Sequence, residues 1–121
     1  MAFHNKIGDR GEEVAANYLV EKGYVIIERN RQFRHTDLDI IARNNETLVF
    51  VEVKTRMSDE WGYPEEAVTH GKIKRISEAA NDYIQKSRLD LAVRFDVISV
   101  LVNNGAYEIV HFEDAFLPPA G

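Results

Sequence analysis

Apolar positions in this chain recur at two spacings, and the switches between them mark the elements. Val14, Ala15, Tyr18 and Leu19 fall on one helical face. Asp9 with Glu12 fits a capping box ahead of them, and Gly23 can take the left-handed stop, so a helix is predicted to open at Asp9. Residues 1–8 carry little pattern. YVIIERN (24–30) is rich in β-branched residues and reads as a strand. LDIIAR (38–43) and TLVFVEVKTR (47–56) read as two more, joined as a hairpin through the Asn44-Asn45 turn. The polar stretch 57–64, with Gly and Pro, reads as a loop. Ile73, Ile76, Ala80, Tyr83 and Ile84 then mark a second helix from Thr69 to Lys86. VRFDVISVLV (93–102) and AYEIVHF (106–112) flank Asn104-Gly105, a strong hairpin signal. Helices separated by runs of strands predict an α/β fold, a central mixed sheet flanked by helices. No repeat or linker divides the chain, so 1–121 reads as a single domain with 1–8 and 113–121 as loose ends.

Composition narrows the classes. The 121 residues are 45% hydrophobic, enough for a core, and include no cysteine, which removes disulfides and thiolate metal sites. No apolar run is long enough for a membrane helix, and MAFHNKIGDRGEE lacks the apolar stretch of a signal peptide, so a cytoplasmic protein without a membrane partner is expected. The net charge of −5 argues against simple electrostatic coating of nucleic acid. It argues less against an enzyme that holds a divalent cation between carboxylates. Basic residues gather in RNRQFRH (29–35) and HGKIKR (70–75).

The third strand carries the first candidate chemistry. In VFVEVKTR, Val49, Val51 and Val53 share one face, and Phe50, Glu52 and Lys54 share the other. Glu52 and Lys54 could form a solvated ion pair at the sheet surface. The preceding strand offers a second reading, because a hairpin through Asn44-Asn45 places Asp39 close to Glu52 or its neighbour. Two carboxylates and an ammonium then converge. Mg²⁺ or Mn²⁺ takes carboxylate and carbonyl oxygens and keeps several waters. A water on such an ion can attack a phosphodiester, and a lysine can stabilise the charge that develops.

The spacing Asp39, then Glu52-Val53-Lys54, resembles the signature of the PD-(D/E)XK nucleases. The segments GDRGEEVAANYLVEKGYVIIERNRQF, DLDIIARNNETLVFVEVKTR, WGYPEEAVTHGKIKRISEAANDYI and RFDVISV, across residues 8–102, resemble the UPF0102 (YraN-like) family and, more distantly, archaeal Holliday junction resolvases. The resemblance implies a restriction-endonuclease-like αβββαβ core. It implies Asp39, Glu52 and the Val53 carbonyl as metal ligands, Lys54 as the catalytic lysine, and Glu12 as a helical glutamate near the metal. Glu12 is equally the partner within the capping box. Arg31 either faces a phosphate or is a plain surface arginine. The family's usual Gly-Glu-Ile-Asp-Leu is Thr36-Asp37-Leu38-Asp39-Ile40 here. Asp39 is kept, Thr36 stiffens the backbone where glycine permits close approach, and Asp37 is one methylene short.

Several further groups carry two readings each. Lys72, Lys74 and Arg75 open the second helix, where the dipole prefers acids, so they either bind phosphate or form a solvated face. Glu65 and Glu66 suit a helix start. Trp61 and Tyr63 either stack on an unpaired base or pack over the core. Asp96 either pairs with Arg94, caps the strand or lines the cleft. His4, His35, His70 and His111 lack metal-ligand spacing and read as surface or edge residues, His35 beside Arg34 being within reach of nucleic acid. Two functions remain open. One is a metal-dependent nuclease acting on DNA, on branched or recombination intermediates, with a homodimer suited to paired cuts. The other is a non-catalytic module of the same fold that grips nucleic acid or a protein partner.

Overall fold

Three local signals set the ends of the elements. A computed structural model describes residues 2–57 and 69–116, with residues 2–9 as backbone alone. Helix α1 (Ala2–Glu21) ends at Gly23, whose φ of 95° is open to glycine. The N–H of Tyr24 reaches Leu19 O at 2.9 Å and that of Gly23 reaches Val20 O at 3.0 Å, the two bonds of a Schellman stop. Helix α2 (His70–Ser87) starts at Thr69, whose hydroxyl accepts the Lys72 N–H at 3.2 Å. Asn104 and Gly105, with φ of 51° and 81°, close the hairpin between β4 (Ala92–Asn103) and β5 (Ala106–Phe112).

The start of α1 departs from the sequence expectation. The helix runs from Ala2, so Asp9 lies within it and does not cap it. A capping residue sits outside helical geometry, and at Asp9 the chain is already helical. The far end differs too. Asp114 N–H donates to Asp96 and Ala115 N–H to Phe95 O, while Phe116 lies 5.3 Å from Phe95, ring to ring. Residues 113–116 are therefore tied to β4. The Trp61, Tyr63, Glu65 and Glu66 positions lie outside the described residues.

β1 (Val25–Phe33), β2 (Thr36–Asn44) and β3 (Thr47–Met57) form an antiparallel meander. α2 then crosses over and returns the chain as β4, parallel to β3. β5 pairs antiparallel with β4, giving a five-stranded mixed sheet in the order β1-β2-β3-β4-β5. The αβββαβ order expected from the sequence is present, with β5 added at one edge.

Each face of the sheet has its own helix. Ala15, Ala16 and Leu19 of α1 pack on Ile40, Ala42, Val49, Val51, Ile98 and Val100. Ile76, Ala79, Ala80 and Tyr83 of α2 pack on Leu38, Ile41, Leu48, Phe50 and Phe95. Alternation along β3 separates the two sets, valines toward α1 and Phe50 toward α2. α1 approaches β3 closely at Gly11, where an added Cβ would overlap Thr55 Oγ1.

A buried polar group lies under α1. Asp96 is 0% exposed and accepts from Arg94 Nε at 2.9 Å, Arg94 Nη2 at 2.8 Å and the Asp114 N–H at 3.0 Å. His111 Nε2 is 2.7 Å from the same carboxylate, and its Nδ1 is 3.1 Å from Tyr18 Oη. A carboxylate only accepts, so Nε2 carries the proton. Arg94 also donates to Tyr24 Oη at 2.6 Å. Burial alone would raise the Asp96 pKa, but the bonds from His111, Arg94 and Asp114 hold it below the usual carboxylate range. His111, expected at a surface or edge, is thus the link between β5, β4 and α1.

Two outcomes follow from this packing. Gly11→Ala should cost about 1–3 kcal/mol in urea unfolding, because α1 must lift from β3, and Thr55→Ala in the same chain should recover part of it. Asp96→Asn should cost about 3 kcal/mol at pH 7. A depressed folded-state pKa gives stability that is present above the unfolded value and lost as pH falls through the folded one. The gap between parent and variant should therefore shrink below about pH 4, read from urea unfolding at both pH values.

Candidate functional site

β2 and β3 pair in register from Asn44 and Thr47 to Ile40 and Val51, and there the ladder stops. The next β2 residue is Asp39. Its Oδ2 accepts the Val53 N–H at 2.8 Å, and its own N–H donates to the Glu52 carboxylate. Two side chains thus stand in for the backbone bonds of the missing pairs. The pleat of β2 also breaks here. Leu38 and Ile41, three apart, both belong to the α2-side core, while Ile40 belongs to the α1 side. Opposite this break, β1 contains Asn30 with φ 55°, between the paired residues Arg29 and Arg31.

Glu52 follows Phe50 on the α2 face of β3 and is only 5% exposed. It is not the solvated ion pair with Lys54 that alternation alone allowed. Its partner is Lys72 of α2, whose Nζ lies 3.2 Å from Glu52 Oε1. Burial, and then the neighbouring charge of Asp39, push the Glu52 pKa up to about 8 against the pull of Lys72. Asp39 is also raised, by burial above all, with the Val53 N–H and Lys72 opposing and Asp37 adding to the rise. The two carboxylates compete for negative charge in one desolvated place, which is what a divalent cation relieves.

Lys54 shares the Glu52 face but is exposed, and among the described residues no ion pair holds it. Val53 brings its N–H to Asp39. In a strand the N–H and C=O of one residue point to the same side, so the Val53 carbonyl faces the same opening, beyond the last β2–β3 pair. Glu12 follows Gly11 in α1 and is half-buried where the helix crosses Thr55, beside the end of β3 that carries Val53 and Lys54. Among the described residues no group of three or more His, Asp or Glu side chains gathers. Two carboxylates with a backbone oxygen nonetheless suit Mg²⁺ or Mn²⁺, which fill the rest of an octahedron with water. The donor set therefore fits a hard divalent ion.

The basic candidates separate. Lys72 is spent on Glu52. Arg31 is bonded to Glu28 at 3.0 Å and lies over the Tyr83 ring at 5.1 Å, so it serves the β1–α2 contact. Lys74 and Arg75 are exposed on α2. Arg94 and Asp96 pair with each other on the α1 side of the sheet, away from Glu52. The pairing of Lys72 with Glu52 had no local sequence signal, since it depends on how α2 docks. His111 had one, because it stands two after Ile109 on the inward face of β5.

A family model described as "Uncharacterised protein family UPF0102" matches residues 11–100. Relatives named UPF0102 protein span nearly the whole chain. One from Bacteroides thetaiotaomicron is 47% identical over 119 residues, 98% of each chain. One from Phocaeicola vulgatus is 45% identical over 119 residues, again 98% of each. One from Geobacter metallireducens is 46% identical over 118 residues, 96% of this chain and 97% of the relative.

The raised Glu52 pKa has a thermodynamic sign. Between the ordinary value near 4.5 and about 8 the folded state holds a proton that the unfolded state has released. Stability is then full below the ordinary value and falls as pH rises through that window. Glu52→Gln should raise Tm at pH 8 by about 4 °C or more and flatten the pH dependence between pH 5 and pH 8, measured by thermal unfolding.

Proposed function

This chain belongs to the UPF0102 family, and from that premise and the geometry above we propose that it is a metal-dependent nuclease hydrolysing phosphodiester bonds in DNA. The proposed fold is the restriction-endonuclease-like core, and the proposed substrates are branched or recombination intermediates. One observation carries the reading. Half-buried Asp39 and buried Glu52 meet where β2 leaves β3, both reluctant to ionise, with Lys54 open to solvent two residues along.

The roles follow from the chemistry of each group. Asp39, Glu52 and the Val53 carbonyl would hold Mg²⁺ or Mn²⁺, which supplies a Lewis acid for a phosphate oxygen and lowers the pKa of water. Asp39 is fixed by the Val53 N–H, so its orientation is set before substrate arrives. Lys72 neutralises Glu52 and must withdraw for the carboxylate to take another cation. Its side chain is partly exposed, so it can turn to solvent or to a substrate phosphate. Lys54 places an ammonium near the scissile phosphate, where it stabilises the charge developing on oxygen or orients the attacking water. Glu12, at the α1 crossing of Thr55, is the helical glutamate that the family resemblance would set near the metal. Lys74 and Arg75 offer charge to flanking phosphates. Two such centres in a homodimer would give paired cuts on a junction.

A second reading has one observation in its favour. Lys72 already supplies positive charge to Glu52. A protein that kept this pair would bind nucleic acid or a partner without turnover.

The test is cleavage of duplex, single-stranded, flap and four-way junction DNA with Mg²⁺ or Mn²⁺. The parent should cut at least one of them. Lys54→Ala and Glu52→Ala, purified alongside, should be slower by about 10²-fold or more. Equal cutting by all three would indicate a contaminant. A parent that binds but never cuts would favour the binding module.

A further inference from the structure

A cavity of about 200 Å³ opens between the β1–β2 turn and the first turns of α2, lined by Phe33, Arg34, His35, Thr36, Arg75 and Glu78. We propose that it is a binding pocket for a single unstacked nucleotide of a nucleic-acid strand. What the strand is used for rests on the nuclease reading, whereas the binding itself does not.

The cavity is small beside the 300–1,000 Å³ typical of ligand sites, on the scale of a single nucleotide rather than of a longer stretch of strand. Its walls divide by chemistry. The Arg34 guanidinium lies over the Phe33 ring at 5.0 Å, so a cationic group and an aromatic face already sit together. Unpaired bases stack on such planes whatever their identity. Arg34 is held there by the turn, with φ 56°. Across the cavity, the Arg75 side chain lies back along α2, and an added Cβ at Gly71 would come within 3.3 Å of its Nη1. Gly71 leaves that space open for the guanidinium. Arg75 can present two parallel N–H donors to a phosphate. Among the described residues neither guanidinium forms an ion pair. Glu78 works against a doubly charged free phosphate and accepts from base N–H donors. The site therefore favours a base with a diester phosphate over inorganic phosphate.

Position ties the pocket to the candidate centre. Thr36 precedes Asp39 by three residues on β2, about 10 Å of extended chain. Arg75 follows Lys72 by three residues, one turn along the same side of α2. The two elements that present Asp39 and Lys72 also present Thr36 and Arg75. A strand lying across the centre can turn one base out into the cavity.

The experiment is a two-dimensional amide NMR titration of the full chain in EDTA. The probes are a deoxyribodinucleotide, deoxyribose 5-phosphate and inorganic phosphate. The dinucleotide should shift residues 33–36, 75 and 78 at lower concentration than either phosphate. Phe33→Leu, Arg34→Asn and Arg75→Gln should each weaken it about tenfold. Asn tolerates the left-handed turn, and Arg75 is exposed on its helix, so these two variants keep the test sound if Phe33→Leu unfolds. Equal shifts by all three probes would reduce the pocket to an anion site and overturn the proposal. So would an absence of shifts at these residues, or a dinucleotide affinity indifferent to Arg34→Asn and Arg75→Gln. EDTA removes the divalent ion, so binding is read apart from catalysis: shifts at these residues with no cutting in the separate Mg²⁺ or Mn²⁺ cleavage assay would sink the nuclease reading and leave the pocket standing.

Discussion

The hydrogen bond from the Val53 N–H to Asp39 Oδ2 is the constraint on which the candidate site rests. An antiparallel pair normally continues by exchanging backbone bonds, and a buried N–H left without a partner is costly. Beyond Ile40 and Val51 that exchange ends. Asp39 covers both needs at once, its carboxylate taking the Val53 N–H and its own N–H going to Glu52. The strands can separate there without leaving those donors bare. The opening between β2 and β3, the meeting of two acids in it and the access of Lys72 all accompany that exchange.

The two buried carboxylate sites show how neighbours decide the sign of a shift. Asp96 and Glu52 are both almost fully buried, and burial raises each. Asp96 meets a guanidinium, an imidazole and a backbone N–H, and ends up a stronger acid than in water. Glu52 meets a second carboxylate and a single ammonium, and ends up a much weaker one. The first arrangement is closed and fastens α1, β4 and β5 together. The second is short of positive charge. That imbalance makes it the chemically unfinished part of the molecule.

Local chemistry made much of the fold legible in the sequence. Gly23, Thr69 and Asn104-Gly105 act through bonds to residues within a few positions, and each ends or starts an element where expected. The closeness of Asp39 to Glu52 was legible as well, because a short hairpin turn fixes the register of β2 on β3. Long-range placement was not. The Lys72–Glu52 pair needs α2 docked on the sheet, and the His111 bridge needs β5, β4 and α1 all in place. The Phe33–Thr36 turn meets Arg75 only in three dimensions. The early start of α1 was not legible, because Asp9 and Glu12 make a plausible cap that the continuing helix does not use.

The irregularities of β1 bear on how the protein behaves in a crowd. β1 is an outer strand of the sheet, and Val25 and Ile27 on it are exposed. A long flat outer strand with such side chains is a template for further strands and hence for aggregation. The register shift between Ile26 and Glu28, and the left-handed Asn30 three residues on, bend the backbone twice within nine residues. A straight incoming strand could match the outer N–H and C=O groups of β1 only over short stretches. The distortion that accompanies the opening at Asp39 on one side of β1 thus also discourages fibril-like growth from the other.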